Sequence, residues 1–219
     1  KHYISKGHQV YGLSRRVPED LIQNKNFNHV VCDLTNFESI PESVSKLLSK
    51  TSKIDLAILN AGILGPIADM KNQSLVDLKE VMDVNLWANK PIIDTLLETV
   101  PNTKKVVAIS SGAAINGNKG WGGYSISKAA VNMLIKLYAS ENKNTTFYAF
   151  APGLIDTPMQ DYLCGDELNI AEFPSAQKLK EARYTPNMPT AEDAGEILAK
   201  GIHELDKLET GSFVDIRKM

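Results

Sequence analysis

Ile54-Asp55-Leu56-Ala57-Ile58-Leu59-Asn60-Ala61-Gly62 is the stretch that decides the fold. Its first six residues are mostly apolar and β-prone, and an Asn-Ala-Gly turn closes them, which predicts a buried strand over 54–59. Working outward, 105–109 and 146–150 read as further buried strands, with a last strand over 212–216. Upstream, 8–13 forms another, and Val30-Val31 forms a short one ending at Cys32-Asp33. Helical spacing fills the intervals. Phe37, Ile40, Val44, Leu47 and Leu48 share one face of a helix over 37–48, and 75–100 reads as one or two helices interrupted near Asp83-Val84-Asn85. Helices over 122–141 and 191–205 follow, and residues 1–6 read as the tail of a helix ended by Gly7.

Strands that are continuous apolar runs, alternating with helices, predict a mainly parallel sheet covered on both faces. The expected class is therefore α/β, a doubly wound, Rossmann-like sheet in three αβα layers. In such sheets ligands bind beyond the carboxyl ends of the strands. The loops after Leu13, Val31, Leu59, Ile109 and Phe150 are where a site is expected. One domain over 1–219 is the expectation, with an irregular stretch at about 155–189 long enough to act as a cover over substrate.

The chain's 219 residues, 43% hydrophobic and 23% charged, supply one sizeable core. A formal charge of -2 and a pI near 6.1 give no reason to expect nucleic acid or an anionic membrane as partner. No apolar run approaches the roughly 20 residues that span a bilayer. Cys32 and Cys164 stand far apart, which favours a reduced, cytoplasmic setting over a disulfide framework. His2, His8, His29 and His203 are scattered rather than paired, so no metal site is expected.

Chemistry concentrates around Tyr124 and Lys128. Four residues apart at the start of a helix, they share a face, and among seven tyrosines only this one has a lysine at that spacing. A phenol with a pKa of about 10 is a poor acid at neutral pH, and a nearby ammonium lowers it. Ser111, after the strand ending at Ile109, offers a hydroxyl to polarise a carbonyl oxygen. Hydride reaching the carbon and a proton from Tyr124 reaching the oxygen would give an alcohol. No protein side chain supplies hydride, so this chemistry implies a nicotinamide cofactor.

Leu59-Asn60-Ala61-Gly62, Val84-Asn85, Ile109-Ser110-Ser111-Gly112, Tyr124-Ser125-Ile126-Ser127-Lys128 and Pro152-Gly153, in this order, resemble the short-chain dehydrogenase/reductase family. The likeness covers nearly all of the chain and weakens between about 159 and 189. It implies a catalytic set of Asn85, Ser111, Tyr124 and Lys128, with Lys128 also holding the nicotinamide ribose and Asn85 fixing a proton-relaying water. It further implies that Asn60, Ala61 and Gly62 line the cofactor cleft and that Pro152, Gly153, Ile155 and Thr157 border the nicotinamide. Asp33 would contact adenine, or else cap the helix region that begins at Phe37. Ser111-Gly112-Ala113-Ala114 with Gly120-Trp121-Gly122-Gly123-Tyr124 is similar to the branch around sepiapterin reductase and benzil reductase. A ketone or 1,2-dicarbonyl is then the expected small-molecule substrate, and a homodimer or homotetramer the expected assembly. Trp121 either stacks on an aromatic substrate or packs in the core, and Tyr162, Leu163, Phe173 and Tyr184 are expected to line an apolar pocket.

Ser14-Arg15-Arg16 follows the 8–13 strand, where an acidic residue would accept the ribose hydroxyls of NAD. Guanidinium suits a 2′-phosphate instead, so NADP(H) is expected, with Arg15 as its principal contact. The family's Gly-rich phosphate loop and the strand before it are absent from the sequence. Roughly 15 to 25 further residues upstream, one strand-turn-helix unit, are the expectation, along with an interrupted sheet. Two rival readings exist: a catalytically silent NADP-binding regulator, which the intact tetrad disfavours, and a nucleotide hydrolase built on residues 112–119. That stretch lacks Lys directly after its second Gly.

Overall fold

The structure, a computed structural model, describes residues 1–165 and 168–219. Its elements are α1 (His2–Ser5), β1 (Val10–Ser14), β2 (Phe27–Val31), α2 (Ile40–Leu48), β3 (Ala57–Leu59), α3 (Leu75–Met82), α4 (Asn89–Thr99) and β4 (Lys105–Ile109). These lead to α5 (Gly122–Glu141), β5 (Thr146–Ala151), α6 (Pro158–Cys164), α7 (Pro174–Ala182), α8 (Ala191–Glu204) and β6 (Phe213–Asp215).

All strand pairs are parallel. β1 pairs with β2, and β3-β4-β5-β6 form a second sheet in that order. One edge of β1 and one edge of β3 carry no strand partner among the described residues, so the sheet is interrupted as expected. The central strands are buried on both faces by their two-residue alternation. Val106, Ala108, Phe147 and Ala149 face a core shared with Ile40, Val44, Ile93, Val131 and Ile135 from α2, α4 and α5. Val107, Tyr148 and Phe150 face the opposite way, against Ile202 and Leu205 at the end of α8. Helices on both faces of a parallel sheet make this a Rossmann-like, three-layer fold.

Differences from the sequence reading have local causes. β1 begins at Val10 because the His8 amide is spent on the Tyr3 carbonyl (3.1 Å). The strand expected over 54–59 is a ladder only from Ala57. Asp55 turns outward to Lys53 (2.8 Å) and Lys104 (3.0 Å), and Ile54 keeps a single bridge to Thr103. β2 starts early, at Phe27, whose ring stacks on His29. The stretch at 155–189 is not irregular: it holds α6 and α7, each opened by a proline whose missing N–H costs nothing at a first helical turn. Residues 166–167 of that stretch lie outside the described residues. The near-phosphate-loop at 112–119 opens no helix, since Gly112–Ala114 is a single 3-10 turn and α5 starts only at Gly122.

Candidate active site

β4 delivers Ser110 and Ser111 to its carboxyl end. Ser110 is buried and donates to Asn132 of α5 (2.6 Å), which pins the strand end to that helix. Ser111 caps the next turn, its hydroxyl accepting the Ala113 amide (3.1 Å). On α5, Tyr124 and Lys128 are one turn apart. Lys128 is only 4% exposed and donates from Nζ to the Ile109 carbonyl (2.7 Å), on the strand that precedes Ser111.

Asn85 comes from a different element. The interruption read near Asp83-Val84-Asn85 is a π-helical turn, Asp83–Trp87, between α3 and α4. Such turns occur mostly as single bulges at functional positions. Asn85, 1% exposed, accepts the Ile63 amide at Oδ1 (2.7 Å) and donates from Nδ2 to the Ile63 carbonyl (2.9 Å) and to Ser127 Oγ (2.9 Å). Ser127 in turn donates to the Tyr124 carbonyl (2.8 Å). The loop after β3, the π turn and the start of α5 are thereby held as one network. At its centre is Gly62, where a Cβ would come within 3.3 Å of Asn85 Oδ1 and 3.4 Å of Lys128 Nζ. A side chain there would fill the cleft between them.

Burial pushes the Tyr124 phenol above its ordinary value, and the Ser111 hydroxyl pulls it partly back. Burial lowers the Lys128 ammonium to about 8. The expected lowering of the phenol by Lys128 does not occur in this arrangement. Its ammonium is turned to the Ile109 carbonyl and stands 5.6 Å from the centroid of the Tyr124 ring. Trp121 packs in the core, buried with Leu64, Ile67, Leu163 and Phe173, and its ring meets that of Tyr124 edge-on at 5.9 Å. Its indole N–H donates to Ser175 of α7 (2.6 Å). Gly120, just before it, has φ +91 and would drive a Cβ to 2.6 Å from the Phe173 ring, so glycine is required.

The remaining residues separate. Leu163 and Phe173 face this apolar cluster, and the Tyr162 hydroxyl accepts from the Ile67 amide (3.4 Å). Tyr184 does not line it: 84% exposed, with φ +63, it points to solvent. Arg15, exposed, follows β1, and Asp33, exposed, follows β2. Asp33 does not cap the helix near Phe37, a place taken by Asn36. Its carboxylate accepts the Thr35 amide (3.0 Å) and hydroxyl (2.9 Å), and these bonds, with Arg15 nearby, hold it below the usual range. Asn60 and Ala61 follow β3, and Pro152, Gly153 and Ile155 follow β5. Thr157 stands at the N-cap of α6 and makes no side-chain capping bond.

Gln73 escaped the sequence reading. It accepts the Gly123 amide (3.1 Å) and donates to the Ala68 (2.8 Å) and Gly120 (3.3 Å) carbonyls, fastening the loop after β3 to the start of α5. No motif marks it. Ser127 lies between Tyr124 and Lys128, where spacing alone gives it no role, and its hydroxyl links Asn85 to the Tyr124 carbonyl. Among the described residues no cluster of His, Cys, Asp or Glu could hold a metal ion, and no helix is long and apolar enough to cross a membrane.

The short chain dehydrogenase family model matches residues 1–167, and the chain belongs to that family. It is 35% identical over 171 residues to the benzil reductase ((S)-benzoin forming) of Bacillus subtilis, covering 72% of this chain and 68% of that one. It is 30% identical over 213 residues to the sepiapterin reductase of Bos taurus, covering 91% and 72%. The crystal structure of a Saccharomyces cerevisiae short-chain dehydrogenase/reductase superposes with a TM-score of 0.85 at 23% identity, over 98% of this chain and 87% of that one. The protein is an oxidoreductase of this family.

Proposed function

We propose that the chain is a single NADPH-dependent carbonyl reductase domain that converts a ketone or 1,2-dicarbonyl to an alcohol. The observation that carries this reading is the meeting of Asn85 and Lys128 at Gly62, with the Tyr124 ring under the Lys128 ammonium and its phenol beside the Ser111 hydroxyl, at the carboxyl ends of β3 and β4. Such residues fit a nicotinamide nucleotide: Gly62 leaves room for close approach, and Lys128, Thr157 and the Pro152–Gly153–Ile155 loop would hold its ribose and ring. Asn60 and Ala61 would border it, Asp33 would meet the adenine, and Arg15 would meet the 2′-phosphate that sets NADP apart from NAD. When bound, the dihydronicotinamide supplies hydride to the carbonyl carbon.

Ser111 would donate a hydrogen bond to the carbonyl oxygen and hold it against Tyr124. A phenol raised by burial keeps its proton at neutral pH, so Tyr124 is loaded as the acid that protonates the oxygen. Lys128, charged below about pH 8, would stabilise the phenolate left behind, and the Asn85 side would return the proton. Likeness to benzil reductase favours an aromatic 1,2-diketone, with Trp121 beside Tyr124 as an apolar wall. Two free cysteines suit a cytoplasmic setting, and exposed Ile126, Met133 and Leu137 on α5 suit self-association as a homodimer or homotetramer. The test is NADPH consumption with aromatic 1,2-diketones set beside simple ketones, repeated with NADH. Turnover of no carbonyl substrate, or a preference for NADH, would overturn the corresponding half of the reading.

A further inference from the structure

Arg183, immediately after α7, ties together three pieces of chain that no motif links. Nε donates to Asp156 Oδ1 (3.0 Å), Nη1 to the Gln160 carbonyl (3.2 Å) and Nη2 to Asp161 Oδ1 (2.5 Å). Asp156 lies in the loop after β5, one residue before Thr157; Gln160 and Asp161 lie on α6. The same loop is held a second time, because the Asp156 amide donates to the Pro189 carbonyl (2.9 Å). Arg183's side chain is 14% exposed and that of Asp156 20%, so the loop-side bond is largely shielded from water, whereas Asp161 is exposed. Tyr184, next in the chain, is the only non-glycine with positive φ among the described residues, and its ring lies 5.0 Å from the guanidinium. A bulky residue in left-handed backbone persists only where its surroundings hold it there.

The opposite end of α7 sits against the site. Ser175 accepts the bond from Trp121, whose ring touches Tyr124, and Phe173 packs on Gly120. α7 is thus fastened at one end beside Tyr124 and at the other, through Arg183, to the loop that carries Thr157. We propose that Arg183 is a positioning residue that latches the substrate-covering helices α6 and α7 onto this loop, setting the affinity for the carbonyl substrate without joining the chemistry. The inference rests on the reductase reading above.

A purely structural arginine, once replaced, would lower stability and the fraction of active enzyme with KM unmoved. A latch predicts a KM effect in the folded enzyme. Arg183→Met removes all three bonds and keeps the aliphatic stem, Arg183→Lys keeps one point charge that cannot serve three acceptors, and Asp156→Asn weakens only the loop-side bond. Trp87→Phe as parent leaves Trp121 as the sole tryptophan, so its emission reports the seat of α7 through Ser175. With Arg183→Met, KM for the carbonyl substrate is expected to rise about tenfold with kcat per folded enzyme changed less than about threefold, as for a displaced positioning group. Trp121 emission is expected to shift to the red, and Arg183→Lys and Asp156→Asn to fall between. Unchanged KM and emission, or a fall in kcat with KM unmoved, would overturn the latch. Should the parent reduce no carbonyl at all, the functional reading fails, and the emission comparison alone then decides for or against the latch.

Discussion

The Lys128 ammonium lies over the Tyr124 ring, 5.6 Å from its centroid, and spends a hydrogen bond on the Ile109 carbonyl rather than on the phenol. The two side chains share one helical face, as their spacing requires, yet the lysine is turned toward β4. Helical spacing fixes which side chains are neighbours, whereas burial and the nearest carbonyl fix where a flexible ammonium points. Burial keeps the proton on the phenol, and in the proposed reaction the ammonium would meet the negative charge that develops there.

Replacing Tyr124 with Phe removes the proton donor and leaves the ring packed against Trp121. Reduction is expected to slow by about 10²- to 10⁴-fold, the range for loss of a general acid. NADPH binding, followed by quenching of protein fluorescence, should persist. Undiminished turnover in this variant would remove Tyr124 from the chemistry.

The activity of the unmodified protein should fall as pH rises through about 8, because burial lowers Lys128 to that value and its charge is then lost. Tyr124, raised above its ordinary value, remains protonated across the same window and does not produce this limb. A profile of kcat/KM against pH that stays flat to pH 10 would contradict the role given to the ammonium.

Stability carries the opposite sign. Lys128 is lowered from 10.5 to about 8, so between these values the unfolded chain binds more protons, and the folded state gains as pH rises. Below pH 8 both states hold the proton, and the cost of burying the charge is fully present. Relative to Lys128→Met, which has no such group, the unmodified protein should gain up to about 3 kcal/mol across this window. Urea unfolding of the two proteins from pH 7.5 to 10.5 measures the difference; parallel curves would show that the buried ammonium is compensated in both states.

The sequence marks β4 and α5 to the residue, because one is apolar on both faces and the other repeats its apolar face for five turns. α6 and α7 are less legible. Their apolar residues Leu163 and Ala176 face a small cluster under the loops instead of the main core, so no long period develops. Pro158 and Pro174, each the first residue of a helix, were the available signal. Asn85, Ser111, Tyr124 and Lys128 were readable as a set because each sits within a quotable stretch. Gln73 and Arg183 were not, since their partners are backbone groups and carboxylates that only the folded chain brings near.

Arg15 follows β1 without an acidic residue to accept ribose hydroxyls, and its charge reaches Asp33 at the end of β2. Arg15→Ala is expected to raise the KM for NADPH about tenfold and leave that for NADH nearly unchanged, as when a guanidinium partner of a phosphate is removed. Equal effects on both cofactors would place the 2′-phosphate elsewhere.

The part Asn85 plays in folding can be separated from the part proposed for it in the site. Both polar atoms of its amide are used internally, on Ile63 and Ser127, in a place almost closed to water. Asn85→Ala leaves the Ile63 amide and carbonyl without partners, and each such buried group costs about 1–3 kcal/mol. A loss of about 2–4 kcal/mol in urea unfolding is expected, larger than for an exposed change such as Ile126→Ala, which should stay within about 0.5 kcal/mol. If the amide only braced the π turn, turnover at a temperature where the variant is fully folded would match the parent. Because Oδ1 and Lys128 Nζ both border the space that a Gly62 Cβ would enter, the folded variant should instead turn over more slowly.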